Sequence, residues 1–172
     1  AELLEAPLAQ PVALHAQVER LLNSRSMDRF IADFTDGWLN LREIDFTTPD
    51  KVLYPEYDPL LLDSMLRETR GFIAELFTQN LSVRNLIDSD FAMLNGRLAR
   101  HYNIDGVSGI DVRKVSLPAE SQRGGLLTQG SVLKVSANGT NTSPVIRGVW
   151  VMDRLLGQPP QPPPPGIPGV EP

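Results

Sequence analysis

One stretch constrains the fold more than any other. After Asp58 and Pro59, the side chains of Leu62, Met65, Leu66, Thr69, Phe72, Ile73, Leu76 and Phe77 recur at three- and four-residue intervals. That spacing stacks them on one face of an α-helix. Asp58 is a good N-cap, and Pro59 suits the first helical position, where a missing N–H costs nothing. Gln79 and Asn80 close the pattern, so a helix over 58–79 is predicted as the longest element and the centre of the fold.

Shorter helices are predicted around it. Pro11 opens one through Leu14, Val18, Leu21 and Leu22, after a ragged entry over 1–10. Ser26 is expected to cap a second, with Phe30, Ile31, Phe34, Trp38 and Leu41 on its face and Gly37 inside it. Residues 42–57, with Pro49 and Pro55, read as irregular. Ser82 is expected to cap a short helix through Leu86 and Ile87. Asp90 is expected to cap another, with Phe91, Leu94, Leu98 and Tyr102 along one side and Asn103 in a left-handed C-terminal position.

The texture changes after residue 104, where Gly106, Gly109, Gly124, Gly125, Gly130 and Gly139 punctuate the chain. Residues 111–117 alternate as a short strand that needs a partner. The run from Leu126 to Val135 fits either a buried helix or a strand. Ser143 and Pro144 repeat the cap-and-proline start, with Val145, Val149, Met152, Leu155 and Leu156 as the face and Gly157 as the stop. Residues 158–172 hold eight of the fifteen prolines and read as an extended polyproline II spacer. The expected fold is therefore mainly α: five to seven helices in a bundle, with a small irregular or β element near 105–120 and a polyproline tail. The expected divisions are 1–105, 106–157 and 158–172.

Composition narrows the function classes. The 172 residues are 41% hydrophobic and 22% charged, with a net charge of −5, which fits a globular chain and argues against nucleic acid as a partner. No apolar run reaches the roughly 20 residues needed to span a bilayer. The start lacks the basic and apolar regions of a signal peptide. A first residue other than Met and the proline-rich end suggest the cut edges of a longer chain. With no Cys, the chain has no disulfide, no Cys nucleophile and no thioether attachment of a c-type haem.

Candidate chemistry is sparse. Of two histidines, His15 lies off the main stripe of its helix and reads as a surface residue. His101 sits among Arg97, Arg100 and Tyr102, whose cations disfavour the imidazolium. It reads as a helix-end residue, or as a proton acceptor or axial ligand. The pair Glu68 and Arg70 reads as ion-paired, and Asp88 with Asp90 as helix capping. The Gly/Thr/Ser-rich segment carries the most weight. Ser143 at a helix start, with Thr140 and Thr142 before it, suits an anion-binding nest that Arg123 and Arg147 complete by bidentate pairing. The alternative is a buried loop crossing whose hydroxyls cap helices and whose arginines are tied to carbonyls or carboxylates. Neither a Walker A loop nor a dinucleotide fingerprint is present.

The runs RGGLLTQ at 123–129, TSPVIRGVW at 142–150 and LLGQPP at 155–160 resemble the planctomycete cytochrome C family domain (PSCyt-type). The runs FTDGWLNL at 34–41, YPEY at 54–57, ETRGF at 68–72 and LNGRLARHY at 94–102 resemble the planctomycete domain of unknown function (PSD-type) that precedes it. The resemblance implies a large, exported, multi-domain bacterial protein, often with a haem-binding Cys-x-x-Cys-His module elsewhere. It thus implies an extracytoplasmic location and other domains of the same parent chain as partners; the absence of Cys leaves no covalent c-type haem and no cofactor expected in this segment, with haem possible elsewhere in the parent protein. It supplies no catalytic residues. Arg97, His101, Arg123, Thr142, Ser143 and Arg147 are carried forward as ligand-binding candidates. The expected function is a non-catalytic structural or interaction module. The rival is part of an enzyme active site acting on a polymeric or redox substrate.

Overall fold

A computed structural model describes residues 10–161; the expected ragged entry and most of the polyproline tail lie outside this range. Six α-helices and one two-stranded sheet are present among the described residues. Helices α1 (Pro11–Leu22) and α2 (Ser26–Trp38) are followed by an irregular stretch and then α3 (Pro59–Thr78). Strand β1 (Phe91–Leu94) leads into α4 (Gly96–His101), and β2 (Arg113–Ser116) returns beside it. Helices α5 (Gly130–Val135) and α6 (Pro144–Arg154) complete the chain. The fold is mainly α with a small β element, as the periodicities predict.

The predicted long helix is α3, and it forms the axis of the molecule. Asp58 has extended dihedrals, and its Oδ1 accepts from the Leu61 N–H at 2.6 Å. Leu61, Met65, Phe72 and Ile73 are buried along the apolar face. Side chains of this size contribute about 1.5–3 kcal/mol each when fully buried. Two apolar clusters share this helix. One joins Phe72 and Ile73 to Ile31, Leu39, Phe91, Leu126, Val132 and Trp150. The other joins Leu61 and Met65 to Leu94, Leu98, Ala99 and Tyr102. Removing the cap tests the start of this axis. Asp58→Ala is expected to lower unfolding stability by about 1 kcal/mol, read as a shifted urea midpoint with an unchanged slope.

The second half packs into the same body. Trp38 Nε1 donates to the Arg154 carbonyl at 2.6 Å, and Trp150 Nε1 donates to the Leu39 carbonyl at 3.3 Å. This reciprocal pair fastens α6 to the end of α2. Ser143 caps α6 by accepting from the Ile146 N–H, and Gly157 takes a left-handed φ of 62° just beyond the helix. Both features match their sequence signals. Asn103 is left-handed as expected, at φ 56°.

Three local expectations are corrected. Residues 91–94 are not helical: they pair antiparallel with 113–116, Phe91 opposite Ser116 and Leu94 opposite Arg113. A four-residue apolar run fits either period, and the returning strand decides it. The cap of the following helix is Asn95, whose Oδ1 accepts from the Leu98 N–H at 2.9 Å, and not Asp90. Neither Asp88 nor Asp90 caps a helix there; between them, Ser89 Oγ closes a turn onto Phe91. Ser26 does not cap α2 either. The turn from α1 leaves Arg25 in right-handed helical dihedrals with no side-chain cap, whereas a capping residue needs an extended backbone. Residues 126–135, left open between helix and strand, form a 3-10 turn (Leu126–Thr128) and then α5.

Candidate functional site

A polar seam runs down the buried side of α3. Ser64 Oγ accepts from Asn95 Nδ2 at 2.9 Å, tying the α4 cap to the helix. Thr69 Oγ1 lies 2.7 Å from Gln129 Oε1 and 2.5 Å from Ser131 Oγ. Between them is Glu68, only 2% exposed. Tyr102 Oη donates to Glu68 Oε2 at 2.7 Å and accepts from the Gly130 N–H at 2.6 Å. The Gly130 N–H also points at Glu68 Oε2, at 3.2 Å. Glu68 therefore does not form the expected ion pair. Burial pushes its carboxyl up to about 8, against the lowering effects of Tyr102, Gly130 and Arg123. A protonated Glu68 satisfies the site without a buried charge. Arg70 does pair, with Asp36 through two bonds of 3.0 and 2.7 Å.

A cavity of about 270 Å³ opens above this seam. Its floor is Leu61 and Met65 from α3, with Leu133 from α5; Tyr54, Glu56 and Tyr57 of the 47–58 loop form one wall. The 137–142 loop adjoins it, with Tyr54 Oη donating to the Thr140 carbonyl at 3.3 Å. Gly139, at φ 91°, carries its backbone so close to Thr48 that a Cβ would lie 2.7 Å from the Thr48 carbonyl oxygen. That approach lets the Asp50 N–H donate to the Gly139 carbonyl at 3.0 Å and closes the cavity's outer edge.

The structure brings four of the six candidates to this cavity and leaves two elsewhere. His101, Arg123, Thr142 and Arg147 line it. His101 is half-buried, with Nδ1 3.7 Å from Glu56 Oε1. Burial lowers its pKa first, Arg123 and Arg97 push the same way, and Glu56 opposes them. Arg123 sits over the Tyr102 ring, its Cζ 3.6 Å from the centroid, and donates to the Thr128 carbonyl at 2.8 Å. Arg147 donates to Ser136 Oγ at 3.2 Å and to the Leu133 carbonyl at 3.3 Å. Thr142 stands exposed at the rim. Arg97 instead braces the start of α3, donating to Asp58 Oδ2 at 3.2 and 3.0 Å and to the Glu56 carbonyl. Ser143 is occupied as the α6 cap. His15 is a surface side chain, as read.

Sequence reasoning missed Lys134. Its Nζ donates to the carbonyls of Ile44 and Thr47, the latter at 2.8 Å, and lies 5.6 Å from the Tyr57 ring centroid. Burial lowers its pKa, opposed by Asp45. A lysine among Val132, Leu133 and Val135 was the available signal. Tyr57 was quoted only as part of a motif, and Glu68 was assigned to the wrong kind of bond.

The fold and site define a small mainly-α domain with a cavity lined by both of its halves. Residues 3–104 match the PSD4 family, described as "Protein of unknown function (DUF1592)", and residues 123–172 match the PSCyt3 family, described as "Protein of unknown function (DUF1588)". The first match covers more than half of the chain, which belongs to that family. No curated protein and no solved structure matches it. Among the described residues, no helix is long and apolar enough to cross a membrane, and no group of three or more His, Asp or Glu side chains is placed to hold a metal ion.

Proposed function

We propose that this chain is a non-catalytic structural or interaction module of an exported, haem-associated, multi-domain bacterial protein. The carrying observation is where its candidate chemistry is engaged. Arg97, Arg123, Lys134 and Arg147 all hold backbone carbonyls or fold-forming side chains. Ser143 is a cap. His101 lies beyond hydrogen-bond distance of its nearest carboxylate, so no carboxylate orients this imidazole as a triad-like base requires. Lys134 and Arg123 reach from the second half to Ile44, Thr47 and Tyr102 of the first, and the others brace their own half. The export and haem context rests on the resemblance to the two planctomycete families.

The test is made on the parent protein in its own cells. An antibody to this chain is expected to detect an extracytoplasmic species longer than 172 residues, whose band stains for haem after denaturing electrophoresis. A cytoplasmic species without haem would overturn the context. Turnover of a substrate by the purified domain, abolished in His101→Ala, would overturn the non-catalytic reading.

A further inference from the structure

The module reading does not explain one feature of the cavity. Arg123, Lys134 and Arg147 all border it, and among the described residues none has a carboxylate within ion-pair distance. Among the described residues, Arg67, Arg70, Arg97, Lys114 and Arg154 each hold one, whereas the other cations without one are scattered and do not share a cavity. The chain as a whole carries a net charge of −5, so three unpaired cations on one 270 Å³ space are a local reversal of sign. Among the described residues, the one carboxylate on the lining is Glu56, which is exposed and lies 3.7 Å from His101 Nδ1.

The cations also retain donors. Arg123 commits one terminal nitrogen to the Thr128 carbonyl and has its guanidinium held over the Tyr102 ring. Its Nε and other terminal nitrogen make no bond among the described residues. Arg147 commits Nε and one terminal nitrogen, leaving the second. Lys134 has three N–H donors and uses two. A guanidinium already held in place loses little freedom when an anion docks, which favours binding. The body of the space is different in character: Leu61, Met65 and Leu133 below, Tyr57 to the side. A hydrated inorganic ion would leave that floor in contact with water.

We infer that the cavity is a binding site for a small organic carboxylate, whose charge meets Arg123, Arg147 and Lys134 while a ring-shaped body rests on Tyr57 and the apolar floor. The volume lies just below the usual range for ligand pockets, which begins at about 300 Å³, and so selects a single ring over an oligomer. An aromatic acid and a sugar acid share the recognising chemistry. Binding here requires no catalysis, and failure of this assignment would leave the module reading standing.

The test titrates the folded chain with benzoate, glucuronate, inorganic phosphate, and the uncharged controls benzamide and glucose, following backbone amide shifts by NMR. Benzoate or glucuronate is expected to bind with Kd below about 1 mM, shifting the amides of Leu133, Lys134 and Thr142, with the controls at least tenfold weaker. Whichever acid binds identifies the body. Arg147→Gln is expected to weaken binding at least tenfold. Because Arg147 also holds Ser136, Tyr57→Leu is the second variant; it keeps every cation and is expected to weaken the acid by severalfold. No shift with either acid at 10 mM, shifts that map away from the cavity, or phosphate binding as tightly as the acids would each overturn the assignment.

Discussion

Glu68→Gln is expected to make the domain more stable than the unaltered chain at pH 9, with little difference at pH 5. In the folded state, burial against Tyr102 and Gly130 holds the Glu68 proton to about pH 8. In the unfolded state the same carboxyl releases it near its ordinary value of 4.5. Between those values the folded chain binds one proton more than the unfolded chain. Stability therefore falls as pH rises through the window. The contribution is fully present below pH 4.5 and lost above about pH 8. Glutamine keeps an oxygen to accept from Tyr102 and Gly130 but cannot ionise, so its profile lacks this slope. The gap between the two chains grows by up to about 1.4 kcal/mol per pH unit across the window, giving a total of several kcal/mol.

Three other shifted groups add slopes of their own. His101 and Lys134 are shifted down by burial, which acts in the opposite sense and makes stability rise with pH. Asp58 is lowered, chiefly by the Leu61 N–H, so its contribution is lost as pH falls through its folded value. All three are common to both chains and cancel in the difference. Urea unfolding at half-unit steps from pH 5 to 9 measures that difference directly. Parallel curves would show that Glu68 does not carry a proton of its own.

Much of the fold was legible because local signals agreed with one another. At 58–79 the cap, the proline and the apolar period all pointed to a helix, and α3 is that helix. At 143–157 cap, proline and terminal glycine agreed again. The failures lie where a local pattern had two solutions and a distant segment chose. Phe91–Leu94 fits a helix face or a strand, and only the return of 113–116 decides it. The site was half legible for a related reason. Arginines and hydroxyls in a glycine-rich segment announce polar work, but not its partner. Arg97 and Ser143 found theirs beside them in the fold, at Asp58 and at the α6 backbone. Glu68 was misread because an acid on a helix usually meets a cation. Here it meets a tyrosine and a backbone N–H from 34 and 62 residues further along the chain.

The clearest test of how the halves are joined is a single methyl group. Gly125 has φ 72° and ψ −179°, a backbone region open essentially to glycine alone and costing other residues about 1–3 kcal/mol. Its Cα also lies against the turn before β1: an added Cβ would fall 2.5 Å from the Ile87 carbonyl oxygen and 2.7 Å from that of Leu86. Both obstacles are backbone, so no side-chain rotation relieves them, and the 123–129 run must lift away. That run carries Leu126 into the main apolar cluster and sets Arg123 on Tyr102. Gly125→Ala is therefore expected to lose both the strain term and part of the docking, about 4 kcal/mol or more, with the Arg123 guanidinium released from the ring. Gly148→Ala is the control. That glycine lies inside α6 with nothing within 4 Å of an added Cβ, and alanine there is expected to stabilise by about 0.5–1 kcal/mol. Urea midpoints of the two variants should move in opposite directions, and the Tyr102 ring resonances should lose their guanidinium-induced shift only in Gly125→Ala. If Gly125→Ala instead unfolds within about 1 kcal/mol of the unaltered chain, the second family segment is not fastened across residues 86–89.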